Sequence, residues 1–242
     1  MIKSRFVRHH GIAIHVLDSK TMSDPTLPPL VISPGLSETA EEYMEFMHEM
    51  YPRRCIVLSY RGRGRSDTPE RGYGLAEHVT DLQAVISEAN LPAFHLMGHS
   101  RGVSYVLGYA LNHNEAIRSL VLEDYPAEHK KMPESWAEFY IRDYLIPAQR
   151  EAHIRQEAVR GIERESTQLS LAKRLNLPVL ILRGMQEGSM LTDAHMQEYE
   201  SLYMHLEKKN YPNSGHDIRN TESAAMVKDI QAFLARADIR AT

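Results

Sequence analysis

The chain has 242 residues, enough for one sizeable domain and short for two. Hydrophobic residues make up 43% and charged residues 25%, which excludes a mainly disordered, collagen-like or disulfide-scaffold chain. A formal charge of −4 argues against a basic nucleic-acid-binding surface, the single Cys55 cannot form an internal disulfide, and no apolar run approaches a membrane span. The opening Met1-Ile2-Lys3-Ser4-Arg5 lacks the apolar core of a signal peptide, so a cytoplasmic protein is expected.

The first predicted elements form a hairpin: an extended stretch near Arg5–Arg8, a turn at His10-Gly11, and Ile12–Leu17 returning. After a loop marked by Pro25, Pro28 and Pro29, Leu30-Val31-Ile32 reads as a short buried strand stopped by Ser33-Pro34-Gly35. Ala40, Tyr43, Met44 and Met47 share one helical face, and Pro52 closes that helix. Cys55–Leu58 is the next strand, followed by the loop Arg61–Asp67 and an amphipathic helix through Leu75, Val79, Leu82, Val85, Ile86 and Ala89. Strand Phe94–Met97 runs into Gly98-His99-Ser100-Arg101-Gly102. A helical stripe (Val103, Val106, Leu107, Ala110) and strand Ser119–Leu122 follow.

Strands alternating with helices argue for an α/β fold with a largely parallel sheet, because parallel neighbours need crossover helices. The rhythm resumes at strand Pro178–Leu182, with a weaker strand at Leu202–Leu206 and a closing helix through Met226, Ile230, Phe233 and Leu234. Residues 125–177 break it: rich in Glu, Arg, Ala and Gln, with no strand signal, they read as two to four helices. The expected division is a core of residues 1–124 and 178–242 with a helical cap at 125–177.

The chemistry concentrates at Gly98-His99-Ser100-Arg101-Gly102, a G-x-S-x-G that ends a strand and opens a helix. A serine on such a turn is forced into strained backbone, while flanking glycines let neighbouring segments approach. Its hydroxyl needs a base. Among 13 histidines, His216 is selected by position, in a polar loop (Pro212–His216) between the last strand and the closing helix. The base in turn needs a carboxylate. Glu187 is the one close behind the penultimate strand and is the expected acid; Asp124, at the end of the preceding strand, is the rival.

These landmarks, in this order, resemble the serine α/β-hydrolases with a helical cap, and the resemblance covers nearly the whole chain. Arg61-Gly62-Arg63-Gly64-Arg65-Ser66 is similar to a structural hallmark of that family which usually follows an aspartate; here Ser59 and Tyr60 precede it. The resemblance implies an α/β-hydrolase fold: a mostly parallel sheet flanked by helices, with a small cap. It also implies an oxyanion hole from the backbone N–H groups of Arg101 and of Leu36, in Pro34-Gly35-Leu36. Pro34 replaces a usual histidine there, and Val103 stands where a second glycine is frequent.

The implied activity is a carboxylesterase-like serine hydrolase working through an acyl-enzyme, with no metal and no organic cofactor. Thioester, lactone and carbon–carbon cleavage, or a ligand receptor on the same fold, are the alternatives. Trp136 and Tyr140 of the cap are expected to line the substrate pocket, and Arg101 with Lys130-Lys131 to attract an anionic substrate unless the lysines merely face solvent. The expected partner is a small-molecule acyl substrate, with no nucleic acid and no membrane, and the expected assembly a monomer or homodimer.

Overall fold

The computed structural model describes residues 1–239. Lys3–His9 (β1) pairs antiparallel with Ile12–Asp18 (β2) across the His10-Gly11 turn, where both residues take positive φ (47° and 79°). Leu30–Ser33 (β3) is buried throughout and is followed by a 3-10 turn, Ala40–Tyr43, and helix α1 (Met44–Glu49). Cys55–Ser59 (β4), helix α2 (Leu75–Ala89), Phe94–His99 (β5), helix α3 (Gly102–Ala110) and Ile117–Glu123 (β6) continue the alternation. After the segment between β6 and residue 178, strand Val179–Gly184 (β9), helix Asp193–Leu202 (α6), strand Leu206–Tyr211 (β10), a short helix Ile218–Thr221 (α7) and Ser223–Ile239 (α8) complete the core.

The eight strands form one sheet in the order β1-β2-β4-β3-β5-β6-β9-β10, parallel from β4 onward, with β2 antiparallel to β4. Continuous burial on both faces explains why β3, β4 and β5 read as apolar runs rather than alternating ones. Two hydrophobic clusters sandwich the sheet, one with α2 and α3 and the other with α1 and α8. The reversal of strand order around β3 and β5 opens a crevice at the carboxyl ends of the strands, where ligands bind in open α/β sheets.

Between β6 and β9 lie strand β7 (Glu128–His129), helix α4 (Trp136–Tyr140) with a π-helical turn Ile141–Leu145, helix α5 (Gln156–Glu165) and strand β8 (Leu169–Ser170). The expectation of helices alone is corrected. β7 and β8 pair antiparallel, too short to carry an alternation signal. The helices pack on Tyr73, Leu36 and one another in a third cluster, whereas Leu171 and Leu175 join the main core. The weak strand expected at Leu202–Leu206 also moves: Leu202 ends α6 and the strand begins at Leu206.

Candidate active site

Ser100 sits between β5 and α3 with φ of 52°, in the left-handed region that costs a residue bearing a Cβ. The glycines around it are dictated by space. A Cβ on Gly98 would lie 2.8 Å from the Val103 backbone, and one on Gly102 would collide with the Ser33 carbonyl and lie 2.5 Å from that of Pro34. Val103, despite replacing the frequent glycine, is fully buried in the core cluster.

The Ser100 hydroxyl donates to His216 Nε2 at 2.8 Å, and His216 Nδ1–H donates to Asp124 Oδ2 at 2.8 Å. This chain of acceptors fixes the Nδ1–H tautomer of the imidazole. The carboxylate at His216 is therefore that of Asp124, and the expectation of Glu187 is corrected. Glu187 is exposed on the loop after β9, and what it brings toward the histidine loop is its main chain: a Cβ on Gly215 would run into the Glu187 carbonyl.

Asp124 is fully buried with φ of 46°. Its second oxygen accepts from Ser189 Oγ (2.7 Å), and the Met190 N–H donates to Oδ2 (2.9 Å). Burial works against its charge, but the hydrogen bonds from His216, Ser189 and Met190 outweigh burial and hold it below the usual carboxylate range. The loop after β9 thus supplies the donors that hold the acid rather than the acid itself.

Leu36 and Arg101, expected as backbone donors, flank Ser100 from the loop after β3 and from the start of α3. Among the described residues neither N–H has an acceptor. The loop is fixed by Glu38, which sequence reasoning missed. Its carboxylate accepts from Gly35 N–H (2.6 Å), Tyr43 Oη (2.7 Å), His99 Nδ1 (2.8 Å) and Arg219 Nη2 (2.5 Å). Burial opposes the charge on His99, but Glu38 and then Glu123 outweigh it and raise its pKa to about 9. His99, pointing away from the hydroxyl as a base, nonetheless stacks on His216 at 5.0 Å.

A cavity of about 360 Å³ opens at Ser100 and His216, walled by Leu36, Tyr140, Tyr144 and Arg150. Tyr140 lines it as expected and donates to Ser37 Oγ at 2.9 Å. Trp136 does not line it; its ring packs behind Tyr140 at 5.0 Å. The arginines of the Arg61–Ser66 loop do not make a surface patch. Arg61 forms a buried bidentate pair with Asp81 (2.6 and 2.8 Å), and Arg63 is 1% exposed.

A family model of the alpha/beta hydrolase fold matches residues 28–140. The chain superposes on the esterase EaEST from Exiguobacterium antarcticum with TM-score 0.79 at 19% identity, covering 96% of this chain and 100% of that one. It superposes on a haloalkane dehalogenase variant from Bradyrhizobium elkanii with TM-score 0.81 at 12% identity, covering 100% and 99%. In sequence it is 23% identical to the mouse sn-1-specific diacylglycerol lipase ABHD11, over 88% of this chain and 82% of the lipase. The other curated matches are partial, spanning about half of one relative (48%) and as little as 15% of another. The chain has the α/β-hydrolase fold. Among the described residues no helix is long and apolar enough to cross a membrane.

Proposed function

We propose that the protein is a serine hydrolase that cleaves an ester-type acyl bond of a small molecule through an acyl-enzyme. The observation that carries the reading is the Ser100–His216–Asp124 hydrogen-bond chain at 2.8 Å per link. Ser100 Oγ attacks the acyl carbon while His216 Nε2 takes its proton. Asp124 holds the ring and stabilises the imidazolium. The Leu36 and Arg101 N–H groups receive the oxyanion, and their lack of another acceptor among the described residues supports that role. Collapse expels the alcohol with the proton from His216. Water, deprotonated by the same nitrogen, then releases the acid.

A serine rather than an aspartate at the elbow separates this chemistry from that of the dehalogenase with which the fold is shared, and the resemblance to EaEST and to ABHD11, named for ester and lipid hydrolysis, supports the ester. No step calls for a metal or cofactor. The test is turnover of 4-nitrophenyl acetate and butyrate combined with labelling by a fluorophosphonate. Turnover lost in Ser100→Ala, and a single adduct mapped to Ser100, are expected. Equal inertness of wild type and Ser100→Ala across acyl lengths, or an adduct elsewhere, overturns the reading.

A further inference from the structure

Two arginines under the cap hold charge that no carboxylate among the described residues pairs with. Arg63 and Arg101 are 1% and 2% exposed, and a guanidinium stays protonated even when buried. Burying such a charge without a partner is costly, and natural structures rarely leave one so. Yet among the described residues neither forms an ion pair. Arg63 donates to the carbonyls of Leu36 (2.9 Å) and Arg61 (2.7 Å) and to His78 Nε2 (2.8 Å). Arg101 donates to the Lys130 carbonyl (3.1 Å), Met132 Sδ (3.9 Å) and His129 Nε2 (2.8 Å).

Both histidines are neutral acceptors by construction. His78 Nδ1–H donates to the Gly74 carbonyl and His129 Nδ1–H to that of Thr167, so each ring offers its bare Nε2 to an arginine. The nearby Asp81 is committed to Arg61 by both oxygens. Donors are left over: among the described residues, Arg63 Nη2, Arg101 Nε and Tyr105 Oη are buried without partners. Tyr105 lies between the two arginine–histidine pairs, stacked on His78 at 4.4 Å and tilted toward His129 at 6.4 Å.

The position of this pair matters as much as its charge. Arg101 is itself one proposed oxyanion donor, and Arg63 Nε is bound to the carbonyl of the other, Leu36. The arginines at the Ser100 cavity, by contrast, each meet a carboxylate: Arg150 pairs with Glu42, and Arg219 shares Glu38 with His99. The arginines without a carboxylate therefore lie on the Leu36–Met132 side, beneath the cap.

We propose that Arg63 and Arg101 form a carboxylate-binding subsite, so that the acyl group presented to Ser100 carries its own carboxylate. The inference rests on the serine hydrolase reading above and names its substrate class: half-esters of short dicarboxylic acids. Guanidinium groups are suited to it because their N–H fork matches a carboxylate.

The decisive comparison is ethanol release from monoethyl succinate and monoethyl glutarate against ethyl pentanoate and ethyl hexanoate. Wild type is expected to favour the better half-ester in kcat/KM by about 100-fold, the size of charged hydrogen bonds gained, and Arg63→Gln or Arg101→Gln to cut that ratio by about 10-fold or more. Binding is read separately. Free glutarate raises the Tm of wild type and of Ser100→Ala but not that of Arg63→Gln. If Ser100→Ala still cleaves esters, the serine hydrolase reading fails while the glutarate measurement still decides the subsite. A wild-type ratio near unity, or stabilisation by chloride equal to that by glutarate, would show an adventitious ion only and overturn the proposal.

Discussion

Asp124 stands beside Ser100, one residue past the last paired positions of two adjacent parallel strands. His99 of β5 pairs with Glu123 of β6, and the Ser100 N–H donates to the Glu123 carbonyl at 3.0 Å. Both residues then turn with positive φ, 52° for Ser100 and 46° for Asp124. Adjacent strands lie about 4.8 Å apart, so an acid at the tip of β6 is one strand from the serine and one at the tip of β9 is two. His216 bridges the shorter gap.

The two carboxylates should therefore separate cleanly in kinetics. Asp124→Asn keeps the shape but presents an amide to His216 Nδ1, and is expected to lower kcat by about 1000- to 10,000-fold. Glu187→Ala removes an exposed side chain and should leave kcat/KM within about 2-fold of wild type. Steady-state release of 4-nitrophenol by the purified variants checks both, and a large loss in Glu187→Ala with little in Asp124→Asn would reverse the assignment.

His99 makes stability fall at high pH. Its pKa is raised in the folded protein to about 9 against an ordinary 6.5, because Glu38 and Glu123 outweigh the effect of burial; Arg219 and the stacked His216 also face it. A raised folded pKa contributes stability that is complete below the unfolded pKa and is lost as pH rises through the folded one. The contribution is of order 1–3 kcal/mol. The expected result is a Tm that declines as pH passes from about 7 to beyond 9 in wild type, with a flatter profile in His99→Asn. Parallel profiles for the two proteins would contradict this.

The β-α alternation, the strained serine and His216 were legible because each is local: an apolar run, a G-x-S-x-G, a polar loop before the last helix. Two glycines around Ser100 are needed because backbone atoms of Ser33, Pro34 and Val103 crowd them, and sequence displays that need directly. Asp124 was not decided by sequence, because the choice between it and Glu187 depends on which strand neighbours β5, a long-range pairing. Glu38 and the Arg63–Arg101 pair were hidden for the same reason. Their partners come from segments as distant as Arg219, His78 and His129. The β7–β8 pair, two residues per strand, was too short to leave any periodicity.

Gly102 is the tightest contact between the elbow and the loop that carries Leu36. A methyl group there meets the carbonyls of Ser33 and Pro34, both backbone atoms that cannot rotate aside. Gly102→Ala must push β3 and α3 apart, at a cost of about 1–3 kcal/mol typical of overpacking. Because the displaced segment holds Leu36, activity should fall beyond what the lost stability explains at a temperature where the variant remains folded. Urea unfolding alongside kcat/KM distinguishes the two effects: unchanged stability would mean that the strand and helix have room to spare.

Among the described residues, the cap's hydrogen bonds to the Leu36 loop converge on Ser37. Tyr140 donates to its hydroxyl at 2.9 Å, and Arg150 Nη2 donates to its carbonyl at 3.0 Å while pairing with Glu42 at 2.8 Å. Tyr140→Phe removes one neutral hydrogen bond, worth about 0.5–1.5 kcal/mol, and should reduce kcat/KM by about 2- to 10-fold. Arg150→Met removes a charge-assisted bond and leaves the Glu42 carboxylate with only Thr39 and His153 as partners, so a larger loss, about 10- to 100-fold, is expected. Since both act on Ser37, their effects should be less than additive in the double variant. Full additivity of the logarithms of kcat/KM across the double-mutant cycle would mean that the two contacts hold the loop independently.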